Sequence, residues 1–114
     1  MKFTITGTEN GRELVIHDGV TEIDAREFAN NHFDDTAFAF NKLKSLTLPD
    51  GVVKIGDWAF EFNQLRTLII PASVTWIGQG AFRYNNLKEV YIPNPDCEVH
   101  PSAFDDNVKI IRGE

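Results

Sequence analysis

Residues 65–86 read Leu65-Arg66-Thr67-Leu68-Ile69-Ile70-Pro71-Ala72-Ser73-Val74-Thr75-Trp76-Ile77-Gly78-Gln79-Gly80-Ala81-Phe82-Arg83-Tyr84-Asn85-Asn86, and residues 43–64 superpose on them without a gap. Nine of the 22 positions are identical: Leu43/Leu65, Leu46/Leu68, Pro49/Pro71, Val52/Val74, Ile55/Ile77, Gly56/Gly78, Ala59/Ala81, Phe60/Phe82 and Asn63/Asn85. A further copy follows in phase as Leu87, Val90, Ile92, Pro93, Val99, Ala103, Phe104 and Asn107. Upstream, Ala37, Phe38 and Asn41 stand 22 residues before Ala59, Phe60 and Asn63. Recurrence at this period marks a repeat architecture, because one such unit cannot bury its apolar face alone and its neighbours must share a core.

Working outward, the first copy is irregular. Leu14, Ile16, Asp18, Gly19, Val20, Ile23, Phe28 and Asn31 match Leu46, Leu48, Asp50, Gly51, Val52, Ile55, Phe60 and Asn63 at an offset of 32. The surplus lies near 32–41 and reads as an inserted loop or a truncated rung; an insertion is favoured, since repeat proteins absorb extra residues in loops. Apolar residues at every third position imitate a helix, but Pro49, Pro71 and Pro93 exclude one: a mid-helix proline loses a hydrogen bond and clashes with the preceding turn. Leu46-Thr47-Leu48, Leu68-Ile69-Ile70 and Val90-Tyr91-Ile92 instead predict short strands with their first and third residues inward. Gly56 and Gly78 are expected to permit the bend that follows. Leu43, Leu65 and Leu87 predict one ladder of stacked side chains, and Phe38, Phe60, Phe82 and Phe104 another. Asn41, Asn63, Asn85 and Asn107 are expected to satisfy backbone groups that the bend leaves unpaired.

The ends differ from the middle. Phe3-Thr4-Ile5 and Leu14-Val15-Ile16 flank an Asn10-Gly11 turn signal, which predicts a hairpin over the N-terminal edge. At the other end Asp96 replaces the valine of Val52 and Val74, and Val108 begins a last strand that starts one residue early. The expected organisation is a single domain over 1–114: an N-terminal cap at 1–13, repeats over 14–107, and a C-terminal cap strand at 108–114.

Composition bounds the function. The chain has 114 residues, 42% hydrophobic and 25% charged, a folding composition rather than that of a disordered tail. Seventeen acids against eleven bases leave a formal charge of −6, which argues against nucleic acid as a partner. No apolar run approaches the ~20 residues of a membrane span. No apolar leader follows Met1 and Lys2, and the one cysteine, Cys97, fits a reducing compartment. A cytoplasmic location is expected for the chain as it stands, and a surface or secreted one if it belongs to a longer protein.

The pattern Leu-x-x-Leu-x-Ile-Pro-x-x-Val-x-x-Ile-Gly-x-x-Ala-Phe-x-x-Asn, best kept from Leu65 to Gly78, resembles the BspA-type bacterial leucine-rich repeat. The resemblance runs from about Leu14 to Asn107. It implies an α/β, mostly β fold: a right-handed leucine-rich-repeat solenoid of ~22-residue rungs, with a concave parallel sheet and a convex side of turns and short helical segments. It also implies an adhesive or protein-binding role, because the family has no shared catalytic residues.

Candidate contact residues follow from the strands. Their middle positions read Val15, Thr47, Ile69 and Tyr91, with Arg112 aligned in the last copy. Ile69 and Tyr91 are apolar where the core does not require it, which suits a contact patch and equally suits ordinary strand propensity. Arg12, Lys44, Arg66, Lys88 and Lys109 form a recurring column of bases. That stripe fits a partner with an acidic surface, and it fits duplication followed by salt bridges to Glu13 or Glu89. Trp58, Trp76 and Tyr84 are candidates for an aromatic patch on the return path, or for simple cover of the turn.

Catalytic motifs are sparse. His17, His32 and His100 lie in different copies and none begins a His-Glu-x-x-His zinc motif; Asp34-Asp35 and Asp105-Asp106 lack the spacing of a calcium loop. Cys97 and His100 alone complete no zinc site, and as a nucleophile pair they need a lowered thiol pKa and a pocket. No enzyme activity, cofactor or metal is expected. The leading reading is a protein-binding module whose contacts are Lys44, Arg66, Lys88, Thr47, Ile69 and Tyr91. An intracellular inhibitor or immunity-type protein against a toxin or enzyme, and a self-assembling structural repeat, are the alternatives. A homo-oligomer is left open.

Overall fold

Short apolar triplets closed by proline and turn residues are too brief for helices and form strands instead. A computed structural model describes residues 3–8, 11–23 and 42–113. Among the described residues nine strands appear: β1 (Phe3–Thr8), β2 (Gly11–Ile16), β3 (Glu22–Ile23), β4 (Leu43–Thr47), β5 (Lys54–Ile55), β6 (Trp76–Ile77), β7 (Glu89–Ile92), β8 (Glu98–Val99) and β9 (Lys109–Arg112). The fold is mostly β, with no helix among the described residues. The expected insertion near 32–41, together with Phe38 and Asn41, lies outside those residues.

The described strands form three small sheets, in the orders β1-β2-β4, β3-β5-β6-β8 and β7-β9. The β1–β2 pair is antiparallel, with Phe3 opposite Ile16, and the other pairs are parallel. Their register follows the repeat. Ile55 lies beside Ile77 and Ile77 beside Val99, 22 residues on each time. Leu14 lies beside Leu46, and Ile23 beside Ile55, at an offset of 32.

Matched positions therefore meet. Leu43, Leu65 and Leu87 are all buried. Phe60 stacks on Phe82 at 5.2 Å between ring centroids, and Phe82 on Phe104 at 5.4 Å. Ala59, Ala81 and Ala103 have no exposed surface, leaving room for backbone to approach backbone.

Turns interlock by hydrogen bonds. The N–H groups of Phe60 and Phe62 donate to the carbonyls of Ala81 and Arg83 at 2.8 and 3.1 Å, and Phe82 N–H donates to Ala103 at 2.8 Å. Asn63 Oδ1 accepts the Leu43 N–H at 3.1 Å, and Asn85 Oδ1 accepts the Leu65 N–H at 3.0 Å. The Asn85 amide also donates to Phe82 at 2.9 Å and to Phe60 at 3.1 Å. Each asparagine thus ties its bend back to the strand start of its own copy, and Asn85 also reaches the bend of the copy before. Asn107 makes no such bond among the described residues and is exposed, because the last copy has slipped out of phase.

Four details depart from the sequence reading. Turns replace the short helical segments, because Trp58 and Phe62 (φ 55° and 62°), and then Gly80 and Tyr84 (φ 64° and 63°), adopt left-handed backbone four residues apart. A right-handed helix cannot propagate through that spacing. Gly56 and Gly78 do not supply the left-handed bend; Gly78 is needed because a Cβ there would collide with the Asp57 carboxylate and backbone. The strand side is no continuous parallel sheet either. Gln64 N–H donates to Leu43 C=O and Asn86 N–H to Leu65 C=O, but among the described residues Ile69 to Tyr91 is the one β-bridge of residues 65–70. β4 carries a register shift at Lys44, where Arg12 pairs with Leu43 and Glu13 with Ser45, and a bulge of this kind bends a strand away from its next neighbour.

The fourth departure is at the last strand. Glu89 pairs with Lys109 and Ile92 with Arg112, an offset of 20, so β9 starts two residues early rather than one.

Two outcomes follow for stability. Phe82→Ala removes the middle ring of the stack and is expected to cost ~3–5 kcal/mol in urea unfolding. Asn85→Ala strands a buried N–H and two carbonyls and is expected to cost about 2 kcal/mol, whereas Asn107→Ala leaves the midpoint unchanged.

Candidate functional site

Alternation along each strand decides what is left for binding. Leu68 and Ile70 point inward, so Ile69 between them stands outward with 82% of its surface exposed. Tyr91, bridged to Ile69, is 52% exposed. Val15 pairs with Thr47, and Tyr91 pairs with Ile69 and with Ile111, so the outward residues form two paired runs, Val15–Thr47 and Ile69–Tyr91–Ile111, which the repeat places in series. Ile111 takes the place that the sequence reading assigned to Arg112. The slip of two residues hides it, since the turn at 105–107 is shorter than its counterparts.

Three residues nearer the start of each strand lie Lys44, Arg66 and Lys88, all exposed. Among the described residues no ion pair engages them. Arg66, Lys88, Thr67, Asn86, Glu89 and Tyr91 line a groove of about 630 Å³. The structure thus brings Arg66, Lys88 and Tyr91 to one surface with Ile69 beside them, while Lys44 and Thr47 sit on the neighbouring strand β4. The column of five bases is broken at both ends: Arg12 lies beside Leu43, and Lys109 beside Glu89. Strand slippage at the bulge and at the last turn moves those two bases out of the row.

The aromatic candidates do not form one patch. Trp58 packs its indole against Gly80, and Trp76 lies half-buried on β6 between Lys54 and Glu98. Tyr84 stacks instead on Phe62, 4.4 Å between centroids, with the Arg83 guanidinium 5.3 Å from the Tyr84 ring centre. Phe62 was not among the candidates; its place in phase with Tyr84 was the signal.

Asp105 serves the turn. Its carboxylate accepts the Tyr84 N–H at 3.0 Å and the Asn85 N–H at 3.4 Å. Among the described residues no cluster of three or more His, Cys, Asp and Glu is arranged to hold a metal ion.

Cys97 and His100 are turned to separate tasks. His100 Nδ1 accepts the Ser102 N–H at 3.0 Å and lies 2.9 Å from Ser102 Oγ. Cys97 is buried, and its N–H donates to Asn94 C=O as Val52 and Val74 donate to Pro49 and Pro71. The thiol therefore occupies the valine slot that Asp96, exposed, does not fill. Burial pushes its pKa up, with Arg112 opposing and Glu98 adding to the rise. A thiol held protonated in this way is a poor nucleophile.

A fold of in-phase strands and turns with an exposed row on its strand side defines a repeat protein. The chain matches the family model of the BspA type leucine rich repeat region over residues 6–112, in six copies, and belongs to that family. The match begins ahead of Leu14 and so takes in part of the β1–β2 hairpin. Repeats of this family are typically non-catalytic and are often used in protein binding. No curated relative and no solved structure matches the chain.

The cysteine yields a measurable consequence. A folded thiol with a raised pKa keeps its proton where the unfolded thiol loses it, so its contribution to stability is complete below the unfolded pKa and declines as pH rises past it. Urea unfolding at pH 7.5 and pH 10 is expected to show a steeper loss for the wild-type chain than for Cys97→Val. A chromogenic disulfide reagent at pH 8 should react at least ten times faster in urea than with the folded protein.

Proposed function

We propose that the protein is a non-catalytic protein-binding module: one domain over residues 1–114, built as a short right-handed solenoid of ~22-residue rungs, with the strand side as its concave binding face. Lys44, Arg66, Lys88, Thr47, Ile69 and Tyr91 supply the contacts, and the partner presents an acidic surface.

The observation that carries this reading is the exposure of Ile69 and its bridge to Tyr91, beside the groove that Arg66 and Lys88 line. Large apolar side chains held out of the core by strand alternation contribute nothing to folding and supply the central contacts of an interface. Bases beside them steer an acidic partner and set its orientation. The chain's own net charge of −6 makes a cluster of bases a local feature, so this surface is distinguished from the rest by its sign.

The test is capture from a lysate of the source organism on the immobilised chain, with mass spectrometry of what is retained. A protein held by the wild type is expected to be lost with Ile69→Ser/Tyr91→Ser and weakened at least fivefold with Arg66→Glu/Lys88→Glu. Lys54→Glu, on β5 in a different sheet, should retain it. Retention by all three variants alike would place the interface elsewhere.

A further inference from the structure

A strand at the end of a sheet has a neighbour on one side only, and its side chains decide whether the other side can pair again. Among the described residues the end strands are β1, β3, β4, β7, β8 and β9. Five of the six carry charge: Glu22 on β3, Lys44 on β4, Glu89 on β7, Glu98 on β8, and Lys109 and Arg112 on β9. β1 differs. Its residues, Phe3-Thr4-Ile5-Thr6-Gly7-Thr8, include no charge and no proline, and Phe, Thr and Ile favour strands.

An antiparallel pair uses the N–H and C=O of every second residue, so pairing with β2 turns the backbone groups of the alternate residues of β1 to the other side. The two faces of β1 are unlike. Phe3 and Ile5 are half-buried and pack on the margin of the core, whereas Thr4 and Thr6 are exposed. A strand added here must bring apolar residues to the first face and uncharged polar residues to the second. The β1 of a second copy brings both.

A twofold axis perpendicular to the sheet lays two β1 strands antiparallel and keeps both cores on one face. With the axis at Ile5, Ile5 meets Ile5, Thr4 meets Thr6, and Phe3 meets Gly7 of the second copy. Opposed threonines are a favourable cross-strand pair, and the two isoleucines join the margins of the cores. Gly7 has φ 102°, and a Cβ there would lie 2.5 Å from the Gly11 carbonyl oxygen, so the position admits only glycine. It leaves a bare place on the strand for the second copy's Phe3 ring, as aromatic residues cover strand glycines elsewhere. Arg12 and Glu13, the charges of β2, stand one strand back from the join.

We infer that β1 is a self-association edge, through which two copies pair antiparallel about Ile5 and join their three-stranded sheets into one. This does not depend on the protein-binding reading. The axis leaves the outward residues of both copies on one side, with Ile69 and Tyr91 outside the join.

Sedimentation velocity and light scattering of the full chain over a range of concentrations test it. The mass is expected to rise from 12.9 kDa toward twice that value as the protein is concentrated. Thr4→Lys/Thr6→Lys opposes lysines across the join and should weaken the dimer at least tenfold. Thr4→Lys/Thr6→Glu opposes Lys and Glu in the same register and should bring the dimer back to within threefold of the wild type. Both variants lose the 2.7 Å hydrogen bond between Thr4 Oγ1 and His17 Nε2 alike, so the difference between them reports the join and not the fold. In the wild type, hydrogen exchange should slow at alternate amides of β1 as the dimer forms, a readout that needs no variant. A monomer at every concentration, a dimer indifferent to the double lysine, or equal loss in both variants overturns the inference. So does protection on dimerisation that spares β1. Alternate amides already slow in the monomer would put another segment of the same chain on this edge and overturn it too.

Discussion

Backbone groups in each turn are completed by the following copy, and this requirement governs the structure. A bend of left-handed and irregular residues cannot satisfy its own N–H groups as a helix would, and a buried unpaired amide costs about 1–3 kcal/mol. The N–H groups of Phe60 and Phe62 reach the carbonyls of Ala81 and Arg83, and Phe82 N–H reaches Ala103. Asn63 and Asn85 accept the N–H groups of Leu43 and Leu65 at the start of their own copies, and the Asn85 amide reaches back to Phe60 C=O in the copy before. Such bonds require the copies to lie in close contact, which admits only alanine at 59, 81 and 103 and leaves the phenylalanine rings stacked. The apolar stack and the hydrogen bonds are thus two consequences of one spacing.

The stacked positions were legible in the residues because each is constrained by its own equivalent. Leu43, Leu65 and Leu87 must match one another to fill one ladder, and Asn63 and Asn85 must be asparagine to accept and donate at once. Features that break the repetition were not legible. The bulge at Lys44 and the two-residue slip of β9 depend on how a strand closes against its neighbour, and the identities Arg12, Lys109 and Arg112 are compatible with either register. Left-handed backbone at Trp58, Phe62 and Tyr84 was hidden for a different reason, since no glycine marks those positions as one marks Gly80. The slip of β9 also concealed Ile111 from the outward residues, and a separate one-residue shift between Pro93 and Glu98 put Cys97 in place of Asp96 in the core.

Site candidates divide along the same line. Ile69 and Tyr91 were readable as outward residues because strand alternation needs only the local triplet. Arg66 and Lys88 were readable because they belong to the two best-kept copies. What the sequence did not disclose is which bases share a surface, because that depends on register. Five bases in a column become three beside one row, and the surface that remains is smaller and more sharply defined.

The edges at β3, β8 and β9 oppose further strand pairing by charge and by side-chain hydrogen bonds. Carrying the row Glu22, Lys54, Trp76, Glu98 one strand further with a second copy's Glu22 would set two carboxylates side by side. On β9, Lys109 and Arg112 stand at the edge, and like charges opposed across a sheet are destabilising. The Arg112 guanidinium donates to Cys97 C=O, and His100 Nδ1 accepts the Ser102 N–H. In the inner copies the corresponding groups pair with the next turn: Thr75 C=O with Glu98 N–H, and Gly80 N–H with Ser102 C=O. Side chains thus replace a neighbouring copy at this end, and stacking another there would first have to displace them. Association through these three edges is disfavoured on both counts. On the strand side, by contrast, Ile69, Tyr91 and Ile111 are exposed, and among the described residues no ion pair engages Lys44, Arg66 or Lys88.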